Sequence, residues 1–161
     1  MSASLEKAKA AIKTQLLSSE FQDILIAVYE DEGDDEPGSD EFPKEVHTVL
    51  KWAPQQFPNA QMGPPRGRNE SPEAIGYLDI TYDFLLYWEV THTEEERIDI
   101  MIQRLVRATQ DFYKDRANLL VEAANCSIWT GDEDYSPLIN QGDGKPFIQA
   151  ASLNLFVRMS R

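Results

Sequence analysis

Metal-binding and thiol side chains are scarce in this chain of 161 residues, which contains one cysteine and two histidines. A single thiol forms no intrachain disulfide and builds no thiolate cage around a metal. His47 and His92 belong to no His-Glu-x-x-His motif or Cys/His cluster, so no zinc or iron site is expected. We expect Cys126 to be a small buried hydrophobe, and His92 to cap a helix or face solvent.

The glycine-containing signatures of nucleotide-binding and hydrolytic enzymes are also missing from the sequence. There is no Gly-x-x-x-x-Gly-Lys-[Ser/Thr], no Gly-x-Gly-x-x-Gly and no Gly-x-Ser-x-Gly. The sequence therefore predicts no catalytic, cofactor-binding or metal-binding residues, and we expect the protein not to be an enzyme.

Long apolar runs and positive charge are lacking as well. No run approaches the ~20 residues of a membrane-spanning helix, and the N-terminus has no apolar core of a secretory signal. We therefore expect a soluble protein made in a cytoplasm. The formal charge is −13, which argues against binding along nucleic-acid phosphates. An acidic surface would nevertheless let DNA slide past without sticking, although solubility alone explains such a charge.

The most regular stretch is residues 77–90, where apolar and polar side chains alternate. One face carries Leu78, Ile80, Tyr82, Phe84, Leu86, Trp88 and Val90. A side-chain period of two over this length predicts a long strand with one buried face, of the kind found in antiparallel or mixed sheets. Asp79 and Asp83 fall on the polar face, where we expect them to be solvated.

A helix pattern follows this strand directly. Thr93-Glu94-Glu95-Glu96 matches a capping box, and its carboxylates suit a helix N-terminus. Apolar side chains then recur at spacings of three and four, at Ile98, Met101, Ile102, Leu105, Val106, Thr109 and Phe112. This periodicity predicts an amphipathic helix that packs on the apolar face of the strand.

The N-terminal half combines a helix with two long irregular segments. Residues 3–20 predict a helix, and residues 24–29 fit either a strand or a continuation of that helix. Eight of the twelve residues from 30 to 41 are acidic, which predicts an exposed, mobile acidic loop. This loop does not fit an EF-hand, but loose divalent-cation binding stays open. Residues 42–72 are proline-rich and predict an arm with one short strand or helical turn at 46–52 and a turn at 66–72.

The C-terminal half ends in a second long strand pattern. Residues 114–124 fit either a further helical turn or the start of a strand, and residues 126–130 predict a short strand. Turns are expected at 131–137 and 140–146, and alternation over 147–159 predicts the final strand. The fold class is therefore a single α+β domain over 1–161, with an antiparallel or mixed sheet and its helices on one face.

A few side chains are candidates for contacts with another subunit or partner. Tyr77, Leu85 and Tyr87 lie on the nominally polar face of the long strand, where amphipathic aromatics are typical of protein interfaces. Arg66 and Arg68 form a basic spot in an acidic half, and they fit either pairing with the acidic loop of a neighbouring subunit or simple solvation.

The order of these elements resembles the tail terminator, or tail completion, proteins of long-tailed bacteriophages. The resemblance rests on the first helix, the long strand, Thr-Glu-Glu-Glu opening the helix, Tyr135-Ser136-Pro137 and the terminal strand. It implies a structural virion protein whose homo-hexameric ring caps the tail tube, stops its growth and docks on the head connector or head completion protein. DNA would pass through an acidic bore without specific binding. The expected location is the head-proximal end of the phage tail, after assembly in the host cytoplasm.

Two other hypotheses remain open at this point. The chain fits another ring-forming neck or tube component, such as a head completion or tail tube protein. It also fits a monomeric acidic adaptor or small-molecule binder, with a pocket near His47, Trp52 and Trp88.

Overall fold

A computed structural model describes residues 4–51, 56–72, 78–114, 118–121 and 124–160. Its elements, in chain order, are α1 Leu5–Leu16, α2 Ser19–Asp31, β1 Glu45–His47, β2 Asn59–Met62, β3 Gly67–Pro72, β4 Leu78–His92, α3 Glu95–Tyr113, β5 Asn118–Val121, β6 Ala124–Tyr135 and β7 Phe147–Ser160.

The sheet is built around the long strand β4. Its strands lie in the order β1-β2-β4-β7-β6-β5, and β3 pairs with β4 beside β2. Fourteen residue pairs join β4 to the antiparallel β7, from Asp79 opposite Ser160 to His92 opposite Phe147. Among the strands that the structure describes, only β1 and β2 run parallel, so the sheet is mixed. The predicted α+β class and both long strands are confirmed.

The hydrophobic core lies between one face of this sheet and the three helices. On β4 it includes the predicted Ile80, Phe84, Leu86, Trp88 and Val90, all buried. The Trp88 ring is fully buried, stacks on Phe21 of α2 at 5.9 Å between centroids, and donates its indole N–H to Thr109 Oγ1 at 3.0 Å. The amphipathic stripe of α3 is buried as predicted, apart from a partly buried Phe112.

Two helices, rather than one, occupy the N-terminal segment. The helix predicted over 3–20 ends at Leu16, and Ser18 caps a new helix by accepting a hydrogen bond from the amide of Phe21 at 3.2 Å. The strand alternative for residues 24–29 is wrong. Leu25, Val28 and Tyr29 are buried at helical spacing, and α2 packs on α3.

The cap of α3 differs from the predicted capping box. The helix begins at Glu95, the N-cap residue is Glu94, and the side chain of Glu94 makes no capping hydrogen bond. Instead, the Glu94 amide donates to His92 Nδ1 at 2.9 Å. The predicted capping box, with reciprocal hydrogen bonds between Thr93 and Glu96, is therefore wrong. The capping role expected of His92 is confirmed.

Residues 42–72 contribute three strands to the sheet, although we expected a largely irregular arm. The predicted turn at 66–72 is wrong, because β3 pairs with β4 from Gly67 to Pro72. Proline is tolerated at a strand end because its missing N–H breaks no internal ladder bond. Polar Asn59 and Gln61 alternate with apolar Ala60 and Met62 along β2, and all four are buried, but we did not predict a strand from this short alternation.

Strand β6 extends through most of the segment predicted as a turn at 131–137. Its pairing with β7 shifts register between Thr130 and Glu133, and such a bulge obscures the period of two. For residues 114–124 we expected either a further helical turn or the start of a strand, and Asn118–Val121 forms a strand. The turn at 140–146 is confirmed, with positive φ at Gly142 and Gly144.

Candidate interaction surface on the open sheet face

The face of the sheet opposite the core is covered by none of the helices that the structure describes. Because side chains alternate along a strand, this open face carries every second residue of the three central strands. Its members include Thr81, Asp83, Leu85 and Tyr87 of β4, Ser152, Asn154, Phe156 and Arg158 of β7, and Ser127 and Trp129 of β6.

A stacked aromatic pair forms the apolar centre of this face. Trp129 and Phe156 are direct cross-strand neighbours, with ring centroids 5.4 Å apart and planes inclined by 13°. Gly131 leaves room for the Phe156 ring, since a Cβ at that position would lie 2.8 Å from Phe156 Cε2. The pair is therefore held in place by the sheet while both rings remain partly exposed.

The structure brings three of the predicted contact residues to this face. Leu85 and Tyr87 are both partly buried there, and the Tyr87 ring packs near Gly63. The Arg66 guanidinium, whose side chain is 51% exposed, lies 3.6 Å from Asp83 Oδ1.

One predicted contact residue lies on the other face. Arg68 lies opposite Tyr82 and pairs with Glu70 at 2.6 Å. Because Tyr82 belongs to the core face, Arg68 is on the helix side of the sheet. Tyr77 lies outside the described residues.

Asp79, which we expected to be solvated, is buried on the open face. Its carboxylate accepts a hydrogen bond from Arg158 Nε at 2.8 Å, while the Arg158 side chain is half exposed. A buried carboxylate is retained at modest free-energy cost only when a cation compensates it. The open face therefore has a structured ionic rim beside the aromatic pair.

The adaptor hypothesis required a pocket near His47, Trp52 and Trp88. Trp88 is fully buried against α3, so it lines no surface pocket. His47 pairs with Glu45 at 3.0 Å, and Trp52 lies outside the described residues. At this corner the Gln61 side-chain amide donates a hydrogen bond to Glu89 Oε1 at 2.8 Å. Burial raises the pKa of the Glu89 carboxyl.

Most residues of the acidic segment 30–41 are exposed, but arginines of α3 bind four of its carboxylates, which we did not expect. Asp34 accepts from Arg97 at 2.8 Å and from Arg104 at 2.6 Å. Arg97 also binds Glu41 at 2.6 Å, and the Tyr29 hydroxyl donates to the same carboxylate at 2.5 Å. Glu41 is only 9% exposed.

The charges in this network shift the ionisation of their neighbours. Arg104 and Arg97 hold the pKa of Asp34 well below its usual value. Burial, with the hydrogen bond to Glu41, raises the pKa of the Tyr29 phenol. Further along α3, Arg107 binds Asp31 and Glu32 at 2.5 Å each. The arginines recur at spacings of seven and three on one side of α3, a signal that the sequence contained and that sequence analysis missed.

Another acidic surface lies on the helix side of the sheet, and we call it the acidic end. Its residues are Glu95, Glu96, Asp99 and Glu133, which line two clefts that share Asp99. One cleft, of about 370 Å³, is lined by Asp99, Glu133 and Tyr135, and also by Glu32, Arg104 and Arg107. The other, of about 540 Å³, is lined by Glu95, Glu96, Asp99 and Leu138. Within the described part of the chain, Glu95, Glu96 and Asp99 make no ion pair.

Across the described ranges, no group of three or more His, Cys, Asp or Glu side chains is arranged to hold a metal ion. No helix in those same ranges is long and apolar enough to cross a membrane.

Comparisons with known proteins return structural likenesses but no sequence match. No protein-family model matches the chain, and no curated protein sequence matches it. A solved structure titled "Virion of native gene transfer agent (GTA) particle" contains a chain with a TM-score of 0.49 and 11% identity, covering 72% of this chain and 78% of that chain. A likeness at this level establishes neither a shared fold nor a shared function.

Proposed function

We propose that this protein is a non-catalytic structural component of a phage virion. In this proposal copies assemble into a hexameric ring that caps the tail tube, stops its elongation and joins the tail to the head connector. The observation that carries the proposal is the open sheet face, with its stacked Trp129–Phe156 pair, Leu85 and Tyr87. Aromatic residues and arginine are enriched at protein interfaces.

The layered architecture also supports assembly. Helices cover one face of the sheet, and the other face presents partly exposed aromatic and aliphatic side chains in a fixed arrangement. A ring of identical copies needs two different surfaces on each copy, because its contacts are head-to-tail. The open face and the helix side of the sheet carry different side chains, so they offer two such surfaces.

Net charge agrees with the passage of DNA through the ring. Each copy carries a formal charge of −13, so a bore lined by several copies would repel the phosphate backbone. In this proposal the protein's partners are copies of itself, the tail tube protein and the head connector or head completion protein. Its place is the head-proximal end of the tail.

Electron microscopy of tail tubes tests this function. Tubes assembled from the tube protein of the same virus are incubated with the purified chain and examined by negative staining. We expect a ring at one end of each tube and an arrest of further elongation. Tubes that keep growing with bare ends would overturn the capping role, and decoration along the tube walls would favour another tube component.

A further inference from the structure

The open face carries a patch in which arginines border aromatic rings. Phe156 lies opposite Asp83, which is the partner of Arg66. Phe156 is also two residues from Arg158 on β7. Arg66 and Arg158 therefore flank the stacked rings of Trp129 and Phe156. Their side chains are 51% and 48% exposed. We call these four residues the arginine–aromatic patch.

Arg66 has capacity for a further carboxylate. A guanidinium has five N–H donors, and in this molecule Arg97 and Arg107 each bind carboxylates of two acidic residues of the 30–41 segment. Arg66, in contrast, approaches the single carboxylate of Asp83 at 3.6 Å, beyond hydrogen-bond distance. Half of its side chain faces solvent, where a second acidic group has access to it.

In the acidic segment 30–41, Asp31, Glu32, Asp34 and Glu41 already bind arginines of α3, whereas Asp35, Glu36 and Asp40 are exposed. The acidic end is likewise exposed at Glu95, Glu96 and Asp99, which make no ion pair within the described ranges. Its clefts also offer apolar surface at Leu138 and Tyr135 for aromatic contacts.

One copy of the chain cannot join these two surfaces. The arginine–aromatic patch lies on the open face, whereas the acidic end belongs to α3 and the helix side of the sheet. A second copy can bring them together, because each copy offers one surface of each kind. Opposite charges across an interface favour encounter and fix its orientation.

We infer that the arginine–aromatic patch of one copy docks on the acidic end of the next copy. The inference rests on the proposed ring function and specifies its subunit contact. Such a contact is heterologous, so it repeats around a ring and leaves no surface unused when the ring closes. Because both surfaces are exposed before contact, their attraction should weaken as salt is raised.

Charge exchange between two variants tests this contact. The first variant is Arg66→Glu, and the second combines Glu96→Lys with Asp99→Lys. Arg158 is left unchanged, because its guanidinium compensates the buried Asp79 carboxylate. The matched control is Arg68→Glu, an arginine of similar exposure on the opposite side of the sheet. Circular dichroism and thermal unfolding check that every variant folds.

Sedimentation velocity then measures assembly of each variant alone and of an equimolar mixture. We expect wild type and Arg68→Glu to assemble equally, and each exchanged variant alone to assemble at least tenfold more weakly. The mixture should recover assembly, because alternating copies restore opposite charges at every contact. Exchanged variants that assemble like wild type, or a folded mixture that does not recover, would overturn the inference while leaving the ring function standing. A wild-type chain that never assembles would overturn both.

Discussion

Arg97 should be the main electrostatic link between the acidic segment and α3. Its guanidinium binds Asp34 at 2.8 Å and Glu41 at 2.6 Å, and it lies 5.7 Å from the centre of the Tyr29 ring. Replacing it in Arg97→Met keeps the aliphatic stem but leaves the Glu41 carboxylate, 9% exposed, without its guanidinium. Removing one partner of a fully buried pair costs about 3–5 kcal/mol.

The expected loss is smaller than that range, because water screens part of the network. Arg97 is 23% exposed and Asp34 is 28% exposed, so we expect Arg97→Met to lower the free energy of unfolding by about 2–3 kcal/mol. For a domain of this size that corresponds to a decrease in Tm of roughly 5–10 °C. Urea unfolding followed by circular dichroism measures the change directly.

Two further variants separate this explanation from a general loss of charge. Arg107→Met removes a more exposed pair, since Arg107 is 37% and Asp31 65% exposed, and it should cost less than about 1 kcal/mol. Adding Glu41→Gln to Arg97→Met should recover most of the stability, because no buried charge then remains at that position. Equal losses for Arg97→Met and Arg107→Met, or no recovery in the double variant, would refute the reasoning.

Substitutions at three other residues test individual contacts by thermal unfolding. Because the pKa of Asp34 is lowered from 3.8, the stability that it contributes is present above about pH 4 and lost as pH falls; Asp34→Asn should flatten the acid side of the Tm profile. Burial lowers the pKa of Lys9, so the unfolded chain holds this proton more tightly than the folded protein does. The Tm of the wild type should therefore rise as pH rises toward 10. Lys9→Met should remove that rise and change stability at pH 7 by less than about 1 kcal/mol. Thr109→Val leaves the Trp88 indole N–H unpaired and should cost about 1–3 kcal/mol, whereas Thr109→Ser should retain most of the stability.

Periodicity predicted the parts of the fold in which one face of an element is apolar. The alternation along β4 and β7, and the stripe of α3, each determine which side chains enter the core. Among the short strands, β1 overlaps the strand that was one alternative for residues 46–52, whereas β2 and β3 were missed. The alternation of β2 spans only Asn59 to Met62, and Asn59 and Gln61 are buried by hydrogen bonding and not by hydrophobicity.

Long-range pairing also decided which candidate residues share a surface. The sequence places Leu85 and Tyr87 on one side of a strand, but only the register of β4, β7 and β6 brings Phe156 and Trp129 beside them. Arg66 and Arg68 are two residues apart in sequence, and yet they reach opposite faces of the sheet, because Arg66 precedes β3 and turns toward Asp83. Composition likewise predicted an exposed acidic segment, but it does not show that arginines of α3 bind several of its carboxylates.

The mass of the purified protein in solution, measured by light scattering over a range of concentrations and salt, tests the central claim most directly. The ring account predicts a species of about six times the 18.3 kDa mass of one chain, and electron microscopy of that species should show a closed ring with a central opening. A protein that stays at 18.3 kDa under every condition, or stops at a dimer, would contradict the account.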